Sequence, residues 1–201
     1  MILISPTAFK GTLTAREAAE AMAAGASAAA KDAEVRVVPL SDGGNGLLTA
    51  LESAAGGKGH GARVAGPLGT SVTARYLIQD ARVVVETAEA WGLHLAPTPL
   101  RDPSRASTRG VGELILAATE DREDGALVVG LGGSATVDAG AGMVKAMGWK
   151  LLDRKGSEIR SGGRGLLDLH AIEPPEAPVL LPQLVVLADV RNPLVGDEGA
   201  A

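Results

Sequence analysis

Short apolar runs alternate with helix-forming segments over the first 55 residues of the chain. Ile2 to Ser5 is an apolar run, and Glu34 to Leu40 is rich in valine. Between them, Thr14 to Glu17 has the pattern of a helix capping box and predicts a helix from about residue 15 to residue 30. Leu47 to Ala55 has helical spacing. This order predicts a mainly parallel sheet that is covered by helices.

From about residue 62 the pattern changes to short consecutive strands. Ala62 to Ala65 and Arg82 to Thr87 are two such segments. Between them, side chains alternate in polarity from Val72 to Ile78, which is the period of a half-buried strand. Consecutive strands that are joined by turns favour antiparallel pairing. We therefore place a domain boundary near residue 64.

Helices and strands alternate again after residue 100, which predicts an α/β fold for this part as well. The predicted helices cover about residues 111 to 121 and 138 to 147, and the predicted strands cover Gly125 to Leu131, Trp149 to Asp153 and Leu184 to Ala188. The last strand has the composition of a buried strand. Ligands of such folds bind beyond the carboxyl ends of the parallel strands, so the loops at those ends are candidates for chemistry.

The composition narrows the class of protein. Apolar residues make up 46% of the chain but aromatic residues only 2%, so we expect a core of small aliphatic side chains. The net charge of −5 and the lack of clustered Lys and Arg argue against a nucleic-acid partner. No apolar stretch is long enough to span a membrane, and no basic region precedes the first apolar run. We expect a cytoplasmic globular protein with no membrane partner.

Several common types of site are absent from the sequence. There is no cysteine, and the three histidines, His60, His94 and His170, do not have the spacing of metal ligands. No Walker pattern G-x-x-x-x-G-K-[ST] and no catalytic motif of the protein-kinase type occur. A nucleotide site in this chain must therefore use other loops.

The glycine-rich segment from Gly130 to Gly140 is the strongest local signal. It lies between a predicted strand and a predicted helix. Glycines allow successive backbone N–H groups to point at one oxyanion, and a helix amino terminus adds partial positive charge. The hydroxyls of Ser134 and Thr136 provide further donors. The segment predicts an anion-binding loop, with a tight strand-to-helix turn as the structural alternative.

Gly130 to Ala135 also satisfies the G-x-G-x-x-G/A dinucleotide fingerprint, and Asp153 lies at the end of the next predicted strand, where a ribose-binding acid is expected. Asp138 argues against this alternative, because its charge in the first helical turn would oppose a pyrophosphate unless a cation intervened. A divalent metal beside a phosphate is typical of phosphoryl transfer. An NAD(P)-dependent oxidoreductase therefore stays open as the alternative function.

Three further loops carry candidate residues. Lys10, in the loop after the first strand, is suited to neutralise phosphate or bind a substrate carboxylate, and Asp42 is suited to hold Mg²⁺ or accept a hydroxyl proton. Asp189 and Asn192 follow the last predicted strand, a position that favours a metal ligand or substrate contact. A solvated cation at Lys10 and Asx turns at the acidic residues are the structural alternatives.

Four separated segments, taken in order, closely resemble motifs of the type I glycerate kinase family. They are Ser5 to Thr12, Ser41 to Gly46, Gly130 to Gly140 and Asp189 to Gly196, and the resemblance runs essentially the whole length of the chain. It implies transfer of the γ-phosphoryl group of ATP to a hydroxyl of D-glycerate with Mg²⁺. The product is 2-phosphoglycerate or, in some assignments, 3-phosphoglycerate.

The same resemblance implies two α/β domains with the active site between them. The first is Rossmann-like and is built from both chain termini, and the second is inserted in the middle. With the boundary near residue 64, residues 1–64 are expected to form the amino-terminal part of the Rossmann-like domain. Residues 65–201 are expected to form the inserted mixed α/β domain, in an incomplete state.

The matching positions supply a set of candidate site residues. The catalytic candidates are Lys10, Asp42, Asp138 and Asp189, of which Asp42 and Asp189 are also candidate metal ligands. The candidates for binding substrate or phosphate are Gly132, Gly133, Ser134, Thr136 and Asn192. The chain departs from the family pattern nearby, with Asn45 where Glu is usual and Arg191 where Asp is usual.

Length is the larger departure, since family members are expected to be nearly twice as long and to carry a later motif that contributes to the active site. We therefore expect this chain to be an incomplete form. Its expected partners are glycerate and either a chain that supplies the missing carboxyl-terminal half or a second copy of itself. A catalytically silent fragment is the other alternative that stays open.

Overall fold

The computed structural model describes residues 1–9, 11–120, 124–188, 190, 193, 196, 197 and 199. Within these residues the strands are Ile2–Ile4 (β1), Val35–Val37 (β2), Lys58–Ala65 (β3), Ser71–Gln79 (β4), Arg82–Glu86 (β5), Ala126–Gly130 (β6), Lys150–Leu152 (β7), Ala171–Glu173 (β8) and Gln183–Leu187 (β9). The α-helices are Ala15–Ala29 (α1), Leu47–Ala55 (α2), Ala88–Trp91 (α3), Arg109–Thr119 (α4) and Ala141–Ala146 (α5). Short 3₁₀ helices cover Leu93–Leu95, Thr98–Leu100 and Gly163–Asp168.

The strands form three sheets. β1 and β2 are a parallel pair connected by α1, which makes a βαβ unit. The main sheet is mixed and has the order β3-β4-β5-β6-β9, in which β3, β4 and β5 are antiparallel and β5, β6 and β9 are parallel. β7 and β8 form a separate antiparallel pair. The predicted α/β class and the predicted antiparallel pairing after residue 62 are confirmed.

Several predicted elements have the observed bounds to within a few residues. The predicted capping box is present, because the Thr14 hydroxyl accepts from the Glu17 N–H and the Glu17 carboxylate accepts from the Thr14 N–H. α2 has the predicted bounds. By contrast, α5 begins at Ala141 and not at residue 138. α3 and β8 were not predicted.

The central strand β5 is buried on both faces, which explains its continuous valine run. Val83 and Val85 lie in a core cluster on the α4 side, together with Val111 and Leu114 of that helix. Val84 faces the other way and belongs to a second cluster. That cluster is completed by three leucines, of which two belong to α2 and one to β4: Leu47, Leu48 and Leu77. Strands that are covered on both faces read as apolar runs rather than alternating ones.

The predicted boundary at residue 64 falls inside β3. This strand pairs with β4 along its whole length, from Lys58 opposite Ile78 to Ala65 opposite Ser71. The change in pattern therefore occurs earlier, at Gly56 and Gly57, which both have positive φ, at 71° and 127°. The two-domain organisation itself stays a prediction.

The last strand was predicted to be buried, and that prediction is wrong. β9 lies at the end of the main sheet and pairs with β6. The side chains of Leu184 and Val186 are 54% and 50% exposed, and Val185, which points to the opposite face, is 38% exposed. The apolar composition of β9 is suited to burial on both faces. No described residue fully covers either face, so these side chains stay exposed.

Candidate functional site

Two loops, Ser41–Gly46 and the loop that follows β6, meet at the carboxyl ends of β5, β6 and β9. The loop Ser41–Gly46 lies directly against the residues that end β6, since a Cβ atom placed on Gly132 would lie 2.5 Å from the Cα atom of Gly44. A Cβ atom on Gly130 would likewise overlap the carbonyl oxygen of Gly43. Backbone packs on backbone here, and only glycine permits this approach. We call these four residues, Gly43, Gly44, Gly130 and Gly132, the glycine contact.

Glu86, the last residue of β5, connects the same loop to the main sheet. It is 5% exposed, and its carboxylate oxygens accept hydrogen bonds from the N–H groups of Gly46 at 2.9 Å and Leu48 at 3.2 Å. The N-cap residue of α2 is Gly46, which has no side chain to cap the helix. Glu86 therefore caps α2 from a distant strand.

The buried environment of Glu86 disfavours the ionised form of its carboxyl group. Burial raises the pKa of the Glu86 carboxyl above its ordinary value, and the hydrogen bonds from the backbone of Gly46 and Leu48 partly offset this effect. The candidate set from the sequence did not include Glu86. The available signal was a glutamate that directly follows a continuous apolar strand.

The loop after β6 is held through its carbonyl groups. The Leu93 N–H donates to the Gly133 carbonyl at 2.8 Å, and the Trp91 indole N–H donates to the Gly132 carbonyl at 3.2 Å. The N–H groups of Gly132, Gly133 and Ser134 donate to no described residue. Three successive N–H groups therefore have no acceptor within the described part of the chain, and their use by an oxyanion stays a prediction.

The hydroxyls of Ser134 and Thr136 have partners within the protein. The Ser134 hydroxyl donates to the Thr136 carbonyl at 3.0 Å, and the Thr136 hydroxyl donates to the Ala106 carbonyl at 2.9 Å. Each hydroxyl also accepts from a backbone N–H two residues further on. Both side chains therefore shape the loop.

Asp138 is a fully buried organising residue. One carboxylate oxygen accepts from the Thr108 N–H at 2.9 Å, from the Thr108 hydroxyl at 3.0 Å and from the Gly142 N–H at 3.1 Å. The other oxygen accepts from the Gly140 N–H at 3.2 Å, and the Thr108 hydroxyl accepts from the Met143 N–H. The amino terminus of α5 is therefore satisfied by Asp138 and Thr108. The prediction that this terminus supports the glycine-rich loop is wrong.

Asp42 is exposed and forms an Asx turn. One carboxylate oxygen accepts from the Gly44 N–H at 3.0 Å, which places Asp42 beside the glycine contact. Asn45, one of the departures from the family pattern, lies so close to Gly133 that a Cβ atom there would overlap its amide oxygen. No group of three or more His, Asp or Glu side chains that could hold a metal occurs among the described residues. Lys10, Asp189 and Asn192 lie outside the described residues.

The dinucleotide alternative required Asp153 at the end of a strand next to β6. The strands next to β6 are β5 and β9, whereas Asp153 follows β7 in a separate sheet. Its carboxylate accepts from the N–H groups of Lys155 and Ser157, and these hydrogen bonds hold the pKa of Asp153 below its ordinary value. Asp153 therefore closes its own turn, and the expected position of the ribose-binding acid is wrong.

Among the described residues, no helix has both the length and the apolar character that crossing a membrane requires.

A substitution of Gly132 tests the glycine contact. We expect Gly132→Ala to lower the free energy of unfolding by about 1 to 3 kcal/mol, because the new methyl group overlaps the backbone of Gly44. Amide exchange at Gly46 and Leu48 should also accelerate, since the loop that positions both N–H groups is displaced. Denaturant unfolding and hydrogen exchange measure the two effects.

The matched control is Gly25→Ala, at a position in α1 where an added Cβ atom meets nothing within 4 Å. It should raise the free energy of unfolding by roughly 0.5 to 1 kcal/mol. Equal stability of the two variants would contradict a close contact at Gly132.

A second prediction concerns pH. Because the folded-state pKa of Glu86 lies above its ordinary value of 4.5, its contribution to stability is fully present below that value and is lost as the pH rises through the folded-state pKa. Glu86→Gln cannot lose a proton there. The stability of the unmodified chain minus that of Glu86→Gln should therefore decrease as the pH rises above 4.5. Denaturant unfolding over a pH series measures this difference, and a constant difference would show that burial does not perturb Glu86.

Comparison with known proteins identifies the group of proteins to which this arrangement belongs. The sequence profile of the glycerate kinase family matches residues 2–201. The glycerate kinase of Bacillus subtilis (strain 168) is 43% identical over 203 residues, which is 99% of this chain and 53% of that protein. The glycerate 2-kinase of Escherichia coli (strain K12) is 43% identical over 204 residues, which is all of this chain and 53% of that protein.

A solved structure gives the same result for the fold. The crystal structure of a protein from Salmonella typhimurium LT2, provisionally named glycerate kinase 2, superposes with a TM-score of 0.80 at 38% identity, over 99% of this chain and 54% of that one. The chain spans about half the length of the curated relatives it matches, as expected from the family resemblance. With its profile match over almost every residue, the chain belongs to the glycerate kinase family.

Proposed function

We propose that this chain carries part of the active site of an enzyme that transfers the γ-phosphoryl group of ATP to D-glycerate, giving 2-phosphoglycerate or 3-phosphoglycerate. Relatives named glycerate kinase support the substrate class. The observation that carries the proposal is the convergence of the Ser41–Gly46 loop, Glu86 and the Gly132–Ser134 segment at the carboxyl edge of the sheet. This edge is where α/β folds bind ligands.

The loop Gly132–Ser134 is suited to hold a phosphoryl oxygen. Its three N–H groups have no acceptor in the described part of the chain, and its carbonyls are fixed by Leu93 and Trp91. Donors that are already in position stabilise negative charge without further reorganisation. We assign Lys10 the role of supplying a positive charge, and Asn192 the role of contacting substrate.

Asp42 fits a magnesium ligand in its chemistry. One oxygen is used by the Gly44 N–H, and the other has no partner among the described residues. Mg²⁺ is commonly bound through one or two carboxylates together with substrate phosphates, so the lack of a larger acidic cluster does not conflict with this role. We assign Asp189 as the second carboxylate. When bound, the ion neutralises charge on the transferring phosphoryl group.

We assign Asp138 a positioning role rather than contact with substrate. All four of its hydrogen bonds go to donors of the protein, and its side chain has no exposed surface. Through Thr108 it joins the beginnings of α4 and α5. The hydroxyl of Thr136 continues this network by donating to the Ala106 carbonyl. It thereby fixes the loop 131–137, which we call the phosphate loop, to the segment that precedes α4.

The organisation of the whole enzyme is a further part of the proposal. We propose a Rossmann-like domain that includes the βαβ unit of β1, α1 and β2, and an inserted mixed α/β domain that contains the main sheet, with the boundary moved from residue 64 to Gly56–Gly57. The exposed edge strand β9 supports a partner that covers it. The partner that we propose is the polypeptide that corresponds to the remainder of the relatives' length.

This proposal predicts that turnover depends on that second polypeptide. We expect the 201-residue chain alone to show little or no glycerate-dependent ADP release in the presence of ATP and Mg²⁺. ADP release and phosphoglycerate should appear when the part of Bacillus subtilis glycerate kinase that this chain does not cover is added. A coupled ADP assay with product identification measures both.

Robust turnover by the chain alone would refute the need for a partner. A mixture that forms a stable complex yet neither binds ATP nor phosphorylates glycerate would refute the kinase proposal.

The role of Asp42 is testable by binding alone. Asp42→Asn should weaken the affinity for ATP about tenfold in the presence of Mg²⁺ and have little effect in EDTA, because only the carboxylate charge is lost. Calorimetric titration of the complex measures both conditions. The matched control is Asp32→Asn, an exposed aspartate in the turn between α1 and β2. An equal magnesium dependence in the two variants would remove Asp42 from the metal site.

A further inference from the structure

A small pocket of about 170 Å³ lies beside the phosphate loop. One wall is formed by Ser134–Val137, and the other by residues between Leu93 and Ala106. Most of the lining side chains are apolar: Leu68, Leu93, Ala96, Pro103, Ala106, Ala135 and Val137. Two charged side chains, Arg101 and Asp102, complete it. Neither Arg101 nor Asp102 was among the candidate site residues from the sequence.

Arg101 is fixed close to the phosphate loop. Its guanidinium group donates to the Ala96 carbonyl at 3.1 Å and to the Leu93 carbonyl at 3.3 Å. Leu93 in turn donates its N–H to the Gly133 carbonyl at 2.8 Å. A single residue therefore connects Arg101 with the loop. The two carbonyl contacts use two of the five guanidinium donors, which leaves others for a ligand.

Arg101 has no ion-pair partner among the described residues, although Asp102 is its neighbour in sequence. One oxygen of Asp102 is used by the N–H and hydroxyl groups of Ser104, at 3.1 Å and 2.6 Å. Those bonds hold the pKa of Asp102 below its ordinary value. The pocket therefore offers a cationic donor and a separate anionic acceptor.

The size and lining of the pocket decide between small and large anions. Sites for drug-sized ligands usually have about 300 to 1,000 Å³, so a pocket of about 170 Å³ is too small for a nucleotide. A polyphosphate would also be repelled by Asp102 and poorly solvated by the apolar walls. A short organic acid carries a single negative charge, so both obstacles are smaller for it. Its carboxylate matches the planar guanidinium group, and its hydroxyl can donate to Asp102.

We propose that Arg101 binds the carboxylate of a small hydroxy acid in this pocket and that Asp102 accepts a hydrogen bond from its hydroxyl. That this acid is the phosphoryl acceptor rests on the proposed function. The acceptor then lies directly beside the donors of Gly132–Ser134. Arg101 and Asp102 together select acids that carry a hydroxyl group.

Binding experiments on the chain test the proposal without requiring turnover. The ligands are D-glycerate, propionate as a carboxylate without a hydroxyl, and inorganic phosphate. Saturable shifts of the backbone amides of Leu93, Ser134 and Ala135 in NMR spectra should follow D-glycerate, with weaker binding of propionate and of phosphate. Absence of saturable glycerate binding, or tighter binding of phosphate than of glycerate, overturns the proposal.

Four variants locate the site. Arg101→Ala should weaken glycerate binding about tenfold or more, since a charge-assisted pair is lost, and Arg101→Lys should recover only part of the affinity. Ala135→Leu should weaken it by filling the pocket without changing charge. Arg105→Ala is the matched control on the same segment but outside the lining, and it should change affinity less than about twofold. An equal loss in Arg101→Ala and Arg105→Ala overturns the proposal.

The two proposals fail in different ways. If the complex with the second polypeptide phosphorylates glycerate and Arg101→Ala leaves the KM for glycerate unchanged, the pocket is refuted and the kinase function stands. If glycerate binding requires Arg101 but no phosphoglycerate is formed, the pocket stands and the kinase function is refuted.

Discussion

The approach of the Ser41–Gly46 loop to the end of β6 is the constraint on which the rest of the site depends. Gly44 and Gly132 touch through their backbones, so neither loop can shift without the other. This contact determines where the N–H groups of Gly132–Ser134 point relative to Asp42. It also brings the amino terminus of α2 within reach of Glu86. The absence of side chains at Gly44 and Gly132 thus sets how closely the two loops approach, while hydrogen bonds of Glu86 and Trp91 hold each loop to the fold.

Two buried carboxylates connect the loops of the site to helices of the fold. Glu86 caps α2 from the end of β5, and Asp138 satisfies the amino terminus of α5 together with Thr108. Each places a negative charge at the positive end of a helix, where it is favourable, yet each is also removed from water. Such residues contribute most when both carboxylate oxygens accept hydrogen bonds, as they do at Asp138. Their role is to connect helices to the strand ends that carry the loops.

Much of the fold was readable from the sequence because local rules agreed with tertiary packing. The capping box at Thr14 and Glu17 and the apolar spacing of α2 gave helices with nearly the observed bounds. The role of Asp138, by contrast, could not be predicted from the sequence. A charged residue before a helix predicts either a ligand or a cap, and only the position of Thr108, distant in sequence, distinguishes the two. Arg101 was missed for the same reason, since its pocket is formed by segments that are distant from one another in sequence.

The exposed apolar surface of β9 has a consequence for how the chain behaves in solution. Its outer edge pairs with no strand among the described residues, and it carries leucine and valine side chains that are about half exposed. Nothing that protects sheet edges in stable monomers, such as a proline, a lysine or a bulge, occurs within Gln183–Leu187. An uncovered edge strand of this kind is a template on which a second copy of the chain can add a strand. Association of the chain with itself through this edge should therefore increase with its concentration.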